Sequence, residues 1–215
     1  MTKEWPDYHT GRREHVHAVG VIALSYTAFE RRLFGLYSHH PERQNMPHAL
    51  MQLYYSSLNE ANQLKAIRVV FSEYEREPEV IDRVDNILEY FDWCSDARNK
   101  LLHSEMYPAM FGGDADKLYL TKPLSKRDPA STYMWLTVEE LRDIADKIEH
   151  GKRNSAALSL YLRYRDQPPG QRKIIDRILN EPLPGLLNIP AKLKPSNEPH
   201  QGTTAASLPS RRPPS

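Results

Sequence analysis

Cysteine is almost missing from this chain: Cys94 stands alone among 215 residues. A single thiol forms no internal disulfide, so a stapled secreted scaffold is excluded and a reducing, cytoplasmic setting is expected. Glycine is scarce too, with nine residues, and Gly112-Gly113 is a lone pair in a turn-prone stretch. No glycine-rich loop of the kind that cradles phosphates can be drawn from them. Long apolar runs are also lacking. The polar start, Met1-Thr2-Lys3-Glu4-Trp5-Pro6-Asp7, has no hydrophobic core segment, so no signal peptide is expected. The uncharged run from His15 to Phe29 has 15 residues, short of the roughly 20 that span a bilayer, and no membrane partner is expected.

Charge of one sign is not in excess either, the formal net charge being +1. Its distribution is uneven. From Gln167 to Ser215 seven Lys/Arg face three Asp/Glu, leaving 22 basic and 25 acidic groups in the 166 residues before them. A broad basic face for non-specific DNA binding is therefore disfavoured in the folded part, whereas a small local cationic site is not.

Proline is nearly confined to one end, with ten of the 17 between Pro168 and Ser215. That region cannot be one continuous helix or a paired sheet. A narrow apolar edge, Ile174, Ile175, Ile178 and Leu179 within Arg172–Leu179, is the one amphipathic segment there. The organisation expected is an N-terminal arm over 1–13, a helical domain over 14–166, a short amphipathic segment and linker over 167–189, and a disordered proline-rich tail over 190–215. Extended proline-bearing segments of such a tail suit a protein partner.

What is abundant is helical periodicity. Ala18, Ile22, Phe29, Leu33 and Leu36 form one stripe of a helix from about Glu14 to Tyr37. A short helix is expected over Ala49–Tyr55. Ser57, with Glu60 three residues on, has capping-box spacing and opens a second long helix carrying Leu64, Ile67, Phe71 and Tyr74. Pro78 suits the first turn of a third, running to His103 or Ser104. Prolines and glycines between Glu105 and Leu136 then exclude a helix. Two β-prone runs there, Leu118–Thr121 and Thr132–Trp135, are candidates for a hairpin. Thr137 with Glu140 repeats the capping-box spacing and starts a fourth helix, through Val138, Leu141, Ala145 and Ile148 and on past Gly151 to Leu162. The expected fold class is all-α: an antiparallel, up-and-down bundle of about four long helices with an irregular insertion before the last.

One stretch asks for more than packing. On a helical wheel at about 100° per residue, Ile87, Phe91, Cys94, Leu101 and Leu102 lie within about 60° of Arg98. A permanent guanidinium charge thus sits on the core-facing stripe, where it needs a counter-charge or a wet groove. Glu89, Asp92, Asp96, Asn99 and His103 form an adjoining polar stripe. Asn99 and His103 are four residues apart and so are neighbours on the helix, placed for the amide to orient the imidazole.

Arg98-Asn99-x-x-x-His103 resembles the signature of the HEPN superfamily, small helical proteins that include metal-independent ribonucleases. The resemblance covers roughly Glu14 to Arg165 and implies a cleft at a homodimer interface, formed by the face carrying Arg98 and His103. In that chemistry the RNA 2′-OH attacks the adjacent phosphate to give a 2′,3′-cyclic phosphate and a 5′-OH end, with no metal and no cofactor. Carried over residue by residue, His103 is the acid/base, Arg98 the phosphate clamp and Asn99 the orienting group. Imidazole suits proton transfer near neutrality, and a planar guanidinium suits charge growing on phosphate oxygens. A toxin or phage-defence role shares this chemistry. Many HEPN domains are inactive, so a non-catalytic RNA-binding or protein-docking module is the alternative.

Other residues carry weaker signals. His15, His17, His39 and His40 lack metal-ligand spacing and read as surface histidines. Cys94 reads as a small core residue. Glu30 flanks the first helix's stripe, either as a counter-charge for Arg98 or as an ordinary solvent-facing residue. Lys117, Lys122, Lys126 and Arg127 beside Tyr119, Tyr133 and Trp135 suit base stacking, but Asp114, Asp116 and Asp128 dilute their charge and favour a solvated loop.

Overall fold

Helix α1 (Arg13–His39) buries the expected stripe, with Ile22, Phe29 and Leu36 fully enclosed. In the computed structural model, which describes residues 12–40, 46–107, 116–121, 133–165 and 183–194, it is followed by α2 (His48–Ser57), α3 (Glu60–Tyr74) and α4 (Pro78–Leu102). Strands β1 (Glu105–Tyr107), β2 (Lys117–Thr121) and β3 (Tyr133–Thr137) come next, and α5 (Val138–Tyr164) closes the helical set. The described residues are mostly helical, as expected, and the insertion before the last helix adds a small antiparallel sheet of three strands in the order β1-β2-β3, so all-α holds only in part. Leu118 faces Leu136 and Leu120 faces Met134 across the β2–β3 pair, and all four are buried. Alternation puts one face of the sheet on the helical core, which is why the hairpin forms despite its long connection. β1 adds Met106 opposite Leu120.

Local signals explain most boundaries. Pro78 is the first residue of α4, where its missing N–H costs nothing. Thr137 and Glu140 make the full capping box of α5, each side chain bonding the other's backbone N–H. Ser57 does not cap α3. It ends α2, its hydroxyl bonding the Tyr54 carbonyl, and Asn59 is the cap instead, its Oδ1 accepting from the Asn62 N–H at 3.0 Å. Glu60 is thereby released for another role.

Helix α5 runs unbroken through Gly151 because that glycine is a contact point. A Cβ there would lie 2.7 Å from Cε1 of Phe29 and 2.8 Å from Cδ1 of Tyr90. Tyr90 cannot swing aside, since its hydroxyl donates to the Lys147 carbonyl at 2.9 Å. Gly151→Ala gains roughly 1 kcal/mol of helix propensity, but overpacking against two fixed rings costs about 1–3 kcal/mol. The expected net result is destabilisation, read as a lower urea midpoint with an unchanged slope.

Disorder from Pro190 is also corrected in part. Residues 183–194 form an extended strap along α4, with Leu187 buried against the core. Side chains of α4 read its main chain. Arg83 Nε donates to the Pro184 carbonyl at 2.9 Å, Trp93 Nε1 to Ala191 at 3.0 Å and Lys100 Nζ to Leu193 at 2.9 Å. Asn86 does both jobs at Leu187, donating to its carbonyl at 3.0 Å and accepting from its N–H at 2.7 Å. Asn154 of α5 donates to the Gly185 carbonyl. Two Asn86 bonds at about 1 kcal/mol each hold the buried anchor. Asn86→Leu is therefore expected to unseat the strap, shown by a red shift of Trp93 emission in a Trp5→Phe, Trp135→Phe background. The segment Arg172–Leu179 lies outside the described residues, as do 1–11 and 195–215.

Candidate functional site

The C-terminal half of α4 carries Arg98 and Asn99 on turns that face α1 and α3. Tyr26 of α1 donates its hydroxyl to Glu60 Oε2 of α3 at 2.6 Å, and Ser95 of α4 donates to Glu60 Oε1 at 2.7 Å. Asn99 Nδ2 reaches Ser95 Oγ at 3.4 Å, and Arg98 Nη1 reaches Asn99 Oδ1 at 2.7 Å. The Arg98 guanidinium then returns over the Tyr26 ring, 5.3 Å from its centroid. Five side chains from three helices thus close a ring.

The proton positions in this ring are dictated. A guanidinium only donates, so the amide oxygen of Asn99 must face it and the amide nitrogen must point to Ser95. Ser95 then accepts from Asn99 and spends its own proton on Glu60. Every bond runs in one direction, from the cation to the carboxylate, with Tyr26 closing the other side. Chained polarisation of this kind strengthens each member. Burial, and then the bond to Glu60, push the Tyr26 phenol well above its usual range, so it stays a donor.

Glu60 is thus the carboxylate that anchors Arg98, through Ser95 and Asn99. Glu30, half-buried on α1, is not in the ring; it bears on Tyr26 and Tyr55 only through its field. Among the described residues no carboxylate pairs directly with Arg98, which is half-buried and holds only Nη1 committed. The result is a cation fixed in place with donors to spare.

His103 is placed differently. It is the C-cap of α4, exposed, with its N–H bonded to the Asn99 carbonyl at 3.0 Å. Its ring has no hydrogen-bond partner among the described residues, and nothing joins it to Arg98 or to the Asn99 amide. Asn99 orients the guanidinium, not the imidazole. Within one chain, His103 lies five positions after Arg98, about 7.5 Å of rise and 140° of turn at helical geometry. The exposed edge of α4 that ends in Asn99 and His103 also bears Asp85, Glu89 and Asp92. Asp96, half-buried beside them, is paired with Lys100 at 2.7 Å.

Three of the histidines expected at the surface are not there. His15 is 2% exposed and meets the Asp116 carbonyl at 3.1 Å through Nε2. His40 is 1% exposed, its ring edge-on to Phe71 and its Nε2 3.6 Å from Glu75 Oε2. His39 is half-buried against Ser159 Oγ at 2.8 Å. Their partners lie 101, 35 and 120 residues away, which no local pattern reveals. His17 and His48 are exposed. Cys94 is fully buried, and burial pushes its thiol up to about 12, so it is a core residue and not a nucleophile. Lys117 sits 3.8 Å over the Trp135 ring and occupies that face; Lys122, Lys126 and Arg127 lie outside the described residues.

Comparisons with protein-family models, with curated proteins and with solved structures found no match. Residue geometry therefore carries the functional argument. An open groove of about 480 Å³ lies between the start of α1 and the start of α5, lined by Arg13, Glu14, His17, Arg142 and Asp146 among others. Its charges are mixed and none is enclosed, so it makes no defined subsite. No cluster of three or more His, Cys, Asp or Glu side chains suited to a metal occurs among the described residues. No described helix is long and apolar enough to cross a membrane.

Proposed function

We propose that this chain is a HEPN-type endoribonuclease, built on an up-and-down helical bundle and acting as a homodimer. One observation carries the reading: Arg98 is a permanent cation pinned by Tyr26 and Asn99 without a paired carboxylate, on the same helix that presents His103 to solvent. The ring to Glu60 supplies rigidity, and the unused guanidinium donors supply a clamp for phosphate oxygens.

In the proposed reaction an imidazole removes the proton of the ribose 2′-OH. The O2′–P bond forms and the P–O5′ bond breaks, while a second imidazole, as imidazolium, protonates the departing O5′. Arg98 offsets the charge that grows on the non-bridging oxygens. Since Arg98 and His103 of one chain make no contact, two copies of α4 facing one another are needed to complete the site. Each would contribute one His103. A toxin or phage-defence setting is compatible with this chemistry.

A second reading has its own support. The acidic residues along the exposed edge of α4 repel a polyanion, and the separation of Arg98 from His103 suits a non-catalytic docking module. One assay separates the two. Single-stranded RNA is incubated in EDTA with wild type, His103→Ala and Arg98→Ala, and the ends are analysed. Cleavage to 2′,3′-cyclic phosphates by the wild type alone supports the enzyme; equal behaviour of all three leaves the docking module.

A further inference from the structure

The charges around Lys117, Tyr119 and Trp135 favour a solvated loop, yet all three residues lie on paired strands. Alternation sorts β2 and β3 into two faces. Leu118, Leu120, Met134 and Leu136 are buried on the core side, so Lys117, Tyr119, Thr121, Trp135 and Thr137, all half-buried, share the outer side. Tyr119 and Trp135 are direct partners in the β2–β3 register, which puts their Cβ atoms about 5 Å apart. Register alone adds Tyr107, the β1 partner of Tyr119, and Tyr133, the β3 partner of Thr121. The core does not call for aromatic residues in this row, because the sheet packs on the helices through its other side.

The Trp135 ring already holds a cation. Lys117 Nζ stands 3.8 Å from its centroid, where the π-face attracts an ammonium. A nucleobase stacks on the same kind of surface, and the flexible lysine stem lets the ammonium move from the ring to a phosphate. Asp116, next in the chain, is held by Arg12 at 2.8 Å. Glu105 is the one carboxylate among the described positions of the outer face. A negative charge there repels phosphate and tolerates a neutral base.

The sheet begins where the proposed reaction site ends. β1 starts two residues after His103, and its first residue, Glu105, is the register partner of Thr121. Two residues of chain, two strand spacings and two residues along a strand put Trp135 within about 20 Å of His103, a reach of a few nucleotides.

We propose that the outer face of this sheet is a base-stacking platform for single-stranded RNA, with Tyr119 and Trp135 each taking an unpaired base and Lys117 an adjoining phosphate. This rests on the ribonuclease reading for its ligand. The platform selects unpaired RNA beside the scissile phosphate, and its members are binding residues, distinct from Arg98 and His103.

The test uses the full chain in EDTA with a fluorescent single-stranded RNA, the matching duplex and a dinucleotide, binding being followed by anisotropy across a salt series. Loss of one stacked base weakens binding roughly 5- to 150-fold. Tyr119→Ala and Trp135→Ala are each expected to weaken single-strand binding by that factor with the salt slope unchanged, while Tyr119→Phe and Trp135→Phe, which keep a ring, restore most of it. Lys117→Ala is expected to lower the slope of log K against log salt by about 0.7, the share of one phosphate contact on a single strand. The two alanine variants should raise KM for the long strand yet cleave the dinucleotide, which cannot reach the sheet, as wild type does. Single-strand binding unchanged in both alanine variants, or weakened equally for the duplex, overturns the proposal and leaves His103-dependent cleavage in place. Wild type that binds through both rings without cleaving keeps the platform and removes the nuclease; wild type that neither binds nor cleaves RNA removes both.

Discussion

His103→Ala is expected to lower turnover of single-stranded RNA by about 10²–10⁴-fold, the range spanned by loss of a general acid or base. KM should hardly move, because an imidazole that transfers protons in the transition state adds little to ground-state binding. Folding should be unaffected: the side chain is exposed and has no hydrogen-bond partner among the described residues, and such surface changes stay within about 0.5 kcal/mol. Arg98→Ala should cost about 10²–10³-fold, by analogy with removing one preorganised donor from an anionic transition state. Arg98→Lys keeps the charge but loses the planar fork that Asn99 and the Tyr26 ring hold in place, so only partial rescue is expected. Tyr26→Phe is the informative neighbour. It keeps the ring under the guanidinium and removes only the hydroxyl bonded to Glu60, so a loss of activity there reports positioning of Arg98. A His103→Ala protein that cleaves RNA as fast as wild type overturns the enzyme outright.

The contrast between these residues also shows what one sequence can disclose. A charge on the apolar stripe of a long helix is visible from spacing alone, and Arg98 does require special accommodation. The nature of that accommodation was hidden. Glu60 fits a capping box with Ser57 as well as it fits a counter-ion, and only Asn59 taking over the cap frees its carboxylate for Tyr26 and Ser95. Likewise Asn99 has equal spacing claims on its neighbours. That it serves Arg98 follows from a guanidinium that can only donate.

The same logic separates the legible parts of the fold from the rest. Long helices announce themselves because one face of each is buried continuously, as Ile22 to Leu36 on α1 and Val84 to Leu101 on α4 are. The strap announces nothing, since α4 recognises its carbonyls and leaves its side chains free of any period. β1 has three residues, fewer than any alternation needs. His15 and His40 are buried, and His39 half-buried, by distant partners, and burial of that origin is a property of the folded chain, not of a window within it.

The largest effect on stability is expected at Glu75, which ends α3 and turns the chain into α4. Its Oε1 accepts from the N–H groups of Arg76 at 2.8 Å and Glu77 at 3.0 Å, closing the turn before Pro78. Its Oε2 lies 2.9 Å from Arg165 Nη2, just beyond α5, and 3.6 Å from His40 Nε2, just beyond α1. One buried carboxylate therefore ties three helix ends together. Burial alone would raise its pKa; the bond from Arg165 and the two backbone N–H groups outweigh that and hold it below the usual carboxylate range. A group depressed in the folded state stabilises above its unfolded value, near 4.5, and its contribution is lost as pH falls through the folded value. Wild type should thus lose stability on acidification from about pH 5 downward. Glu75→Gln keeps the shape and one acceptor but takes from Arg165, whose side chain is 13% exposed, its nearer carboxylate, leaving Glu77 Oε1 at 3.6 Å from Nη1. Breaking a buried pair from one side costs about 3–5 kcal/mol, and the remaining Glu77 carboxylate holds this loss to the lower end of that range. The expected result is a Tm lower by roughly 10 °C at pH 7, together with a shallower decline between pH 5 and pH 3 than wild type shows. Urea unfolding at three pH values measures both. A variant within 1 kcal/mol of wild type, or one with the same acid slope, would mean that Arg165 and His40 find other partners and that Glu75 is not the residue holding this end of the molecule.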